Sequence, residues 1–352
     1  MTLFLQGYTA FRQYVDSYFH SVPKKSEGVL KVGVLSTAMI NGSGIIYPAL
    51  THPEVVLYAV ASRDASKATY YASKYGFQKS YGSYEDLLAD PEVDFVYISL
   101  PNSLHFEWAC KSLEAGKHVL LEKPFTSNAR EAAALVKKSK ETGKVLLEAF
   151  HWQFHPQRIS KKYGEIISTD AAMTSTPALP PGNIRWQYDL AGGSLMDMTY
   201  VLSFTRYALR ASVPDAVLYA KATPSREDPR VDSAMQARLR FKRPNVDPRS
   251  DTKINFYNAM MPHIYHYIAI TDKITGKTHY EQFYKGGPLW KERGESYWST
   301  YRYQLEAFVD KVQGRHPVWW IDGDDSVQQM ESIDAVYRQS GLPLRPTSTM
   351  LA

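Results

Sequence analysis

The sequence predicts an α/β chain of two domains, the first a doubly wound parallel sheet and the second an α/β unit on a mixed or antiparallel sheet. Three observations carry that reading. The chain has 352 residues, too many for one ordinary core. Between residues 29 and 149 short apolar runs alternate with helical patterns, as repeated strand-helix-strand units require. From about residue 150 strand-like pieces follow one another across polar turns, the pattern of antiparallel pairing.

Taken in order, residues 1–28 read as an aromatic, amphipathic helical arm that ends in the polar run PKKSEG. The first domain spans 29–149. Its strands are expected at 29–35, 55–61, 95–100, 118–121 and 145–149, and its helices at 65–75, 84–89, 104–115 and 127–142. The second domain spans 150–352, with strands at 216–222, 234–241, 253–257 and 264–272. A helix at 195–209 follows the pair Gly192-Gly193, and helices at 301–312 and 325–337 close the chain. Asp324 or Asp325 suits the start of the last helix, where a carboxylate meets unpaired amides and the positive end of the helix dipole.

Composition narrows the function classes. Hydrophobic content of 44% and charged content of 22% are those of a globular protein. The single cysteine, Cys110, excludes an intrachain disulfide and fits a reducing compartment, so a cytoplasmic location is expected. No segment approaches the ~20 consecutive apolar residues of a membrane span, and the start lacks the pattern of a signal peptide. The net charge of +5 is spread as pairs such as Lys24-Lys25 and Lys161-Lys162 instead of forming a stripe, which argues against nucleic acid as a partner.

The sharpest local signal is Leu120-Leu121-Glu122-Lys123-Pro124. Pro124 ends the strand, so Lys123 falls at the carboxyl edge of an open sheet, where α/β proteins bind ligands. A lysine beside a proline is also an ordinary loop residue, and its neighbours decide between the two. The first strand runs into Gly33-Val34-Leu35-Ser36-Thr37-Ala38, in the place of a phosphate-binding turn, with Ser36 where a second glycine normally stands. The alternative is a tight turn with no ligand. Ser62 and Arg63 end the second strand and, with Lys67, suit a 2′-phosphate, which favours NADP(H); Asp64 either caps the next helix or binds the ribose of NAD. Leu100, Pro101, Asn102 and His105 end the strand at 95–100 beside the expected nicotinamide ribose, or simply terminate the strand and open a helix.

Together, residues 32–38 and the stretches LPNSLH, LLEKPFTSNAREA, EAFHWQFHP, IRWQYDLAGGSLMDMTY and YWSTYRYQLEAFVDKV resemble the Gfo/Idh/MocA oxidoreductase family. More narrowly, they are similar to its fungal branch related to NADP-dependent D-xylose dehydrogenase and dimeric dihydrodiol dehydrogenase. The resemblance covers residues 30–348, and the ordered succession of motifs is more specific than any one of them. It implies a Rossmann domain followed by an α/β domain with a large, mostly antiparallel open sheet, through which members associate as homodimers. It also implies that Lys123 is catalytic, that Tyr200 transfers the proton, that Asp197 orients or balances the lysine, and that Glu122 and Lys123 border the cofactor. The spacing from Asp197 to Tyr200 is one residue shorter than usual in the family, and Gln153 stands where relatives often have arginine. Segments 157–163 and 242–253 are shorter than the family pattern.

Transfer of a hydride from an alcohol carbon needs a base for the hydroxyl proton, and the reverse needs an acid for the carbonyl oxygen. A tyrosine's ordinary pKa of ~10 is high for that task, so an ammonium at Lys123 is expected to favour the phenolate and to stabilise charge on the reacting oxygen. His151, Trp152, His155, Arg185 and Trp186 are expected around a small-molecule substrate between the domains, where aromatic faces and a few donors suit a sugar ring or a flat cyclic ketone. His151 and His155 lack a third ligand at metal spacing, so no metal is called for. A scaffold that binds a nucleotide without redox turnover, or a secondary-metabolism reductase, remains the alternative.

Overall fold

The computed structural model describes residues 23–156, 169–173, 180–242, 252–258, 266–272, 275–283 and 285–351. Residues 1–22 of the expected arm, segment 157–163 and most of 242–253 lie outside the described residues.

Six strands form a parallel sheet: β1 (Leu30–Leu35), β2 (Val55–Ala61), β3 (Lys79–Tyr81), β4 (Phe95–Ile98), β5 (His118–Leu121) and β6 (Leu146–Glu148), in the order β3-β2-β1-β4-β5-β6. The order reverses between β1 and β4, which opens a crevice at the carboxyl ends of those two strands. Val32, Val34 and all of β4 are inaccessible because both sheet faces are covered, which is why these strands read as unbroken apolar runs.

Helix α1 (Tyr47–Leu50) follows a π-helical turn at Gly42–Ile46; then come α2 (Ala65–Tyr75), α3 (Tyr84–Ala89), α4 (His105–Glu114) and α5 (Ala129–Thr142). Asp64, Ser83 and Asn128 cap α2, α3 and α5 by accepting from amides two or three residues on. The strand β3 and the turn into α1 have no counterpart in the sequence reading. That turn is close-packed: a Cβ on Gly44 would collide with the Tyr97 ring.

The expected helix at 195–209 is two helices, α6 (Ser194–Asp197) and α7 (Tyr200–Leu209). The break is pinned by Thr199, fully buried, whose hydroxyl accepts from the Gln329 amide at 2.7 Å and whose carbonyl accepts from the same group at 3.3 Å. Beyond it the strands are antiparallel, as expected. Among the described residues they form two sheets, a ribbon of β7 (Ala216–Pro224) with β8 (Asp232–Arg240) and a three-stranded sheet of β9 (Thr252–Asn258), β10 (His266–Asp272) and β11 (Thr278–Glu281). Helices α8 (Gly287–Trp290), α9 (Thr300–Val312) and α10 (Gly323–Ser340) follow.

The last two helices return to the parallel sheet, one on each face. Met330, Ile333, Val336 and Tyr337 of α10 share a core with Val96, Ile98, Val119 and Leu121, while Tyr303, Leu305 and Phe308 of α9 share one with Val34, Phe95, Tyr97 and Leu120. The alternate side chains of β4 thus face the two helices. This packing fixes the start of α9 against the loop that leaves β6, where the site forms.

Candidate active site

Lys123 leaves β5 through Glu122 and a cis peptide to Pro124. Glu122 is buried; its carboxylate accepts from the Tyr97 hydroxyl at 2.6 Å and from the Lys123 amide at 3.2 Å. Burial pushes its carboxyl above the usual range. His105 lies behind this loop, 1% exposed, with Nδ1 at 2.8 Å from the Pro124 carbonyl and Nε2 at 2.9 Å from the Leu100 carbonyl. The ring lies between the two carbonyls and its one N–H donates to one of them, so His105 fills the space between the loops after β4 and β5. The expected ribose contact is corrected accordingly.

The Lys123 ammonium donates to the Asp197 carbonyl at 2.9 Å and to its carboxylate at 3.2 Å. Arg185 Nε meets the other carboxylate oxygen at 2.9 Å. Burial is the largest single influence on Asp197 and pushes its carboxyl up, but the Lys123 and Arg185 cations together hold it below its ordinary value. A second bond crosses beside it, from the Asn102 side-chain amide to the Ala191 carbonyl at 3.0 Å. Parts of the chain far apart in sequence therefore meet at the sheet edge through a cation-carboxylate-cation line.

Tyr200 opens α7 with its ring under Lys123, the ammonium 5.2 Å from the ring centroid. Its hydroxyl is paired with His151 Nε2 at 3.1 Å. The expectation that Lys123 lowers this phenol needs correcting. Burial pushes it well above its ordinary value, and Tyr301, Glu122, Asp197 and Glu148 add to the rise. Lys123's own charge is matched by Asp197. Asp197 and Tyr200 also belong to different helices instead of the single one expected at 195–209.

The other expected substrate residues divide. His151, 3% exposed, stacks on Tyr301 at 3.9 Å and places Nδ1 2.7 Å from the Thr300 hydroxyl. Arg185 and Trp186 are half-buried in the turn Ile184–Trp186, and Arg185 faces Asp197. Trp152 instead packs its ring on Phe204 and Tyr207 of α7, where it supports the helix that carries Tyr200. His155, 3% exposed, ends the same 3-10 turn, His151–Phe154, inside the fold. Gln153 is buried with its amide directed at Ser203. Thr300, Tyr301 and Glu148 were missed as site residues, although YWSTYRY and EAFHW had been marked as motifs.

The crevice at β1 and β4 is built by the hydroxyls of Ser36 and Ser99 and the amide of Asn41, Ser36 standing where a second glycine is usual. Ser36 has φ 144°, a region that favours glycine, and its Oγ lies 2.7 Å from Ser99 Oγ and accepts from the Ala38 amide at 3.1 Å. Asn41 completes the set, donating to the Ser36 carbonyl at 3.0 Å and accepting from Ser99 at 2.5 Å. Thr37 and Ala38, half-buried, follow at the mouth. Gly33 is not at the mouth: its missing Cβ makes room for Leu87 and Val93 beneath the sheet. At the end of β2, Asp64 is committed to α2, accepting from the Ser66 and Lys67 amides and the Ser66 hydroxyl. Beside it, the Ser62 hydroxyl, the exposed Arg63 and the exposed Lys67, whose ammonium is 3.9 Å from the Asp64 carboxylate, form a donor set that fits a phosphorylated ribose.

Gly192 and Gly193 hold the second half in place. A Cβ on Gly193, at φ 140°, would strike Asp232, Arg345 and Tyr337. Asp232 and Arg345 form a fully buried ion pair at 2.7 Å, Tyr337 donates to Asp232 at 2.8 Å, and Asp232 accepts the Leu195 amide at 2.7 Å. This cluster fixes the start of α6, and with it Asp197.

The family model GFO_IDH_MocA, described as an oxidoreductase family with an NAD-binding Rossmann fold, matches residues 30–150. D-xylose 1-dehydrogenase (NADP(+)) 2 of Haloferax volcanii is 34% identical over 330 residues, covering 88% of this chain and 96% of that protein. Trans-1,2-dihydrobenzene-1,2-diol dehydrogenase of Sus scrofa is 30% identical over 221 residues, 60% of this chain and 64% of its own length. A crystal structure of a variant of KijD10, a 3-ketoreductase from Actinomadura kijaniata, in complex with TDP-benzene and NADP, superposes with a TM-score of 0.71 at 26% identity, covering 88% of this chain and 98% of that one.

Proposed function

This chain belongs to the Gfo/Idh/MocA oxidoreductase family, and we propose that it is an NADP(H)-dependent oxidoreductase of cyclic hydroxyl and carbonyl compounds, sugars or trans-dihydrodiols. The observation that carries the reading is the meeting of Lys123, Asp197 and Tyr200 at the carboxyl edge of the parallel sheet. Residues 36–38 would hold the pyrophosphate, Ser62, Arg63 and Lys67 the 2′-phosphate, and Leu100, Pro101, Asn102, Glu122 and Lys123 would border the nicotinamide end. NADP supplies the hydride acceptor or donor when bound.

The chain's own part is to handle the proton and the charge. Tyr200 exchanges a proton with the reacting oxygen, since it is the hydroxyl that opens α7 beside Lys123. Lys123 is anchored by Asp197, so its ammonium stays fixed and stabilises negative charge on that oxygen. Arg185, on the other side of Asp197, limits the cleft on the solvent side and is the donor for further substrate hydroxyls.

Absorbance of reduced nicotinamide, followed with NADP(H) and a panel of aldoses, dihydrodiols and cyclic ketones, tests this. Turnover is expected for wild type and a loss on the order of hundredfold or more in Lys123→Met and Tyr200→Phe; wild-type rates in either variant overturn the assignment. Association of two copies through the C-terminal sheets is part of the proposal, supported by the exposed Leu218 and Tyr219 on β7 and Tyr280 on β11, and light scattering reads it directly. The buried Cys110 is the support for a cytoplasmic location, which cell fractionation checks.

A further inference from the structure

We propose that His151 is a positioning residue for Tyr200: as the neutral tautomer with its hydrogen on Nε2, it donates to the phenolic oxygen and leaves the phenolic hydrogen directed at the substrate. The inference rests on the acid/base reading of Tyr200 given above.

The geometry restrains both ends of the imidazole. Nε2 is 3.1 Å from the Tyr200 hydroxyl and Nδ1 is 2.7 Å from the Thr300 hydroxyl. The ring is stacked on Tyr301 at 3.9 Å and 3% exposed, so it has no room to turn. Burial, and then the charge of Lys123, bring its pKa down to about 3, so it carries one hydrogen for two nitrogens. Thr300 decides which. It is the first residue of α9, after the cap Ser299, and has no helix carbonyl four residues back to take its hydroxyl hydrogen. That hydrogen is available to Nδ1. With Nδ1 accepting, the imidazole hydrogen sits on Nε2 and points at Tyr200.

The opposite tautomer would draw the phenolic hydrogen toward His151 and present only lone pairs to the substrate, so Tyr200 would have nothing to give a carbonyl oxygen. In the proposed arrangement Tyr200 gives its hydrogen to that oxygen and becomes a tyrosinate held by the Nε2–H bond. In the oxidising direction the tyrosinate takes the hydrogen of the substrate hydroxyl. The groups facing the phenol are Glu122 beyond β5, Glu148 on β6, Asp197 on α6 and Tyr301 on α9, all of which oppose ionisation, and Lys123 above the ring. His151 is the donor that offsets them.

The test uses the full chain. Histidine labelled with nitrogen-15, with the His151 signals identified by their loss in His151→Gln, is expected to show hydrogen on Nε2 and a bare Nδ1; the reverse tautomer overturns the proposal. In kinetics, His151→Phe is expected to lower kcat about tenfold to hundredfold, the scale of a hydrogen bond to a charged group. The limb of the pH profile that reports the phenol should rise by about one pH unit while KM moves little. His151→Gln, which keeps an N–H near Nε2, should recover most of kcat. Thr300→Val, which leaves the ring stack intact, should shift the limb in the same direction, and a wild-type limb in this variant sinks the idea. Tyr200→Phe is measured alongside. If it still turns over, the acid/base reading has failed; if it is dead while the His151 and Thr300 variants keep the wild-type limb, only the positioning role has failed.

Discussion

Glu148→Gln is expected to stabilise the protein increasingly as pH rises from about 5 to 8. Glu148 ends β6, is 2% exposed, and is pushed by burial from 4.5 up to about 8, against the pull of the neighbouring Ser326 hydroxyl. A raised carboxyl pKa means that the unfolded chain ionises first. Below pH 4.5 the group is protonated in both states and costs nothing; between 4.5 and about 8 stability falls as pH rises, and above about 8 the loss is complete. At about 1.4 kcal/mol per pH unit, that interval is worth about 5 kcal/mol, a ceiling that relaxation of the site lowers. Glutamine keeps the shape and removes the titration. Urea unfolding of both proteins from pH 5 to 8.5 gives a difference curve in which the other buried carboxyls, Glu122, Glu131, Asp232 and Asp334, cancel. The difference should grow by roughly 3–5 kcal/mol in favour of Glu148→Gln, and the infrared band of a protonated carboxylic acid at pH 7 should be lost in the variant. A flat difference curve refutes the reasoning. Because a charge on Glu148 opposes ionisation of Tyr200, the variant should also oxidise its substrate faster than wild type does above pH 8.

Three further outcomes follow from named contacts. Arg63→Ala should raise KM for NADP about tenfold or more and leave that for NAD unchanged, the signature of a lost phosphate partner; equal effects on both cofactors count against the assignment. Asp197→Asn removes the partner of two cations and should depress kcat by one to two orders of magnitude while the fold persists by circular dichroism. Gly193→Ala places a methyl group against the buried Asp232–Arg345 pair at a positive φ, and a loss of about 3 kcal/mol or more, read as a lowered melting temperature, is expected.

The parallel half was legible because its strands are buried on both faces: an apolar run bounded by polar residues names itself, and β1, β2, β4, β5 and β6 fall where such runs occur. The edge strand β3 was not, since it is three residues long and half exposed. Lys123 was found because Pro124 marks the strand end. Its neighbours were harder. Which histidine serves the fold and which the site depends on contacts across the chain, Pro124 and Leu100 for His105, Thr300 and Tyr200 for His151, and no local pattern encodes a pairing that spans 149 residues. The helix break before Tyr200 was hidden for the same reason, because Gln329, which pins it, lies on α10.

The environment of Tyr200 alters what catalysis here requires. A lysine near a tyrosine suggests that the ammonium lowers the phenol, yet Lys123 donates twice to Asp197, with its ammonium 5.2 Å from the ring centroid. Burial, the neighbouring Tyr301 and three carboxyl groups then drive the phenol upward, toward the protonated form. A protonated tyrosine beside a fixed ammonium is already in the state that reduction of a carbonyl needs, one group to give the hydrogen and one to steady the oxygen. Oxidation must first remove that hydrogen, so its rate should climb with pH over the range where reduction stays level. Measuring both directions from pH 6 to 10 with one substrate pair separates the two. Parallel profiles would mean that the proton is handled elsewhere than at Tyr200.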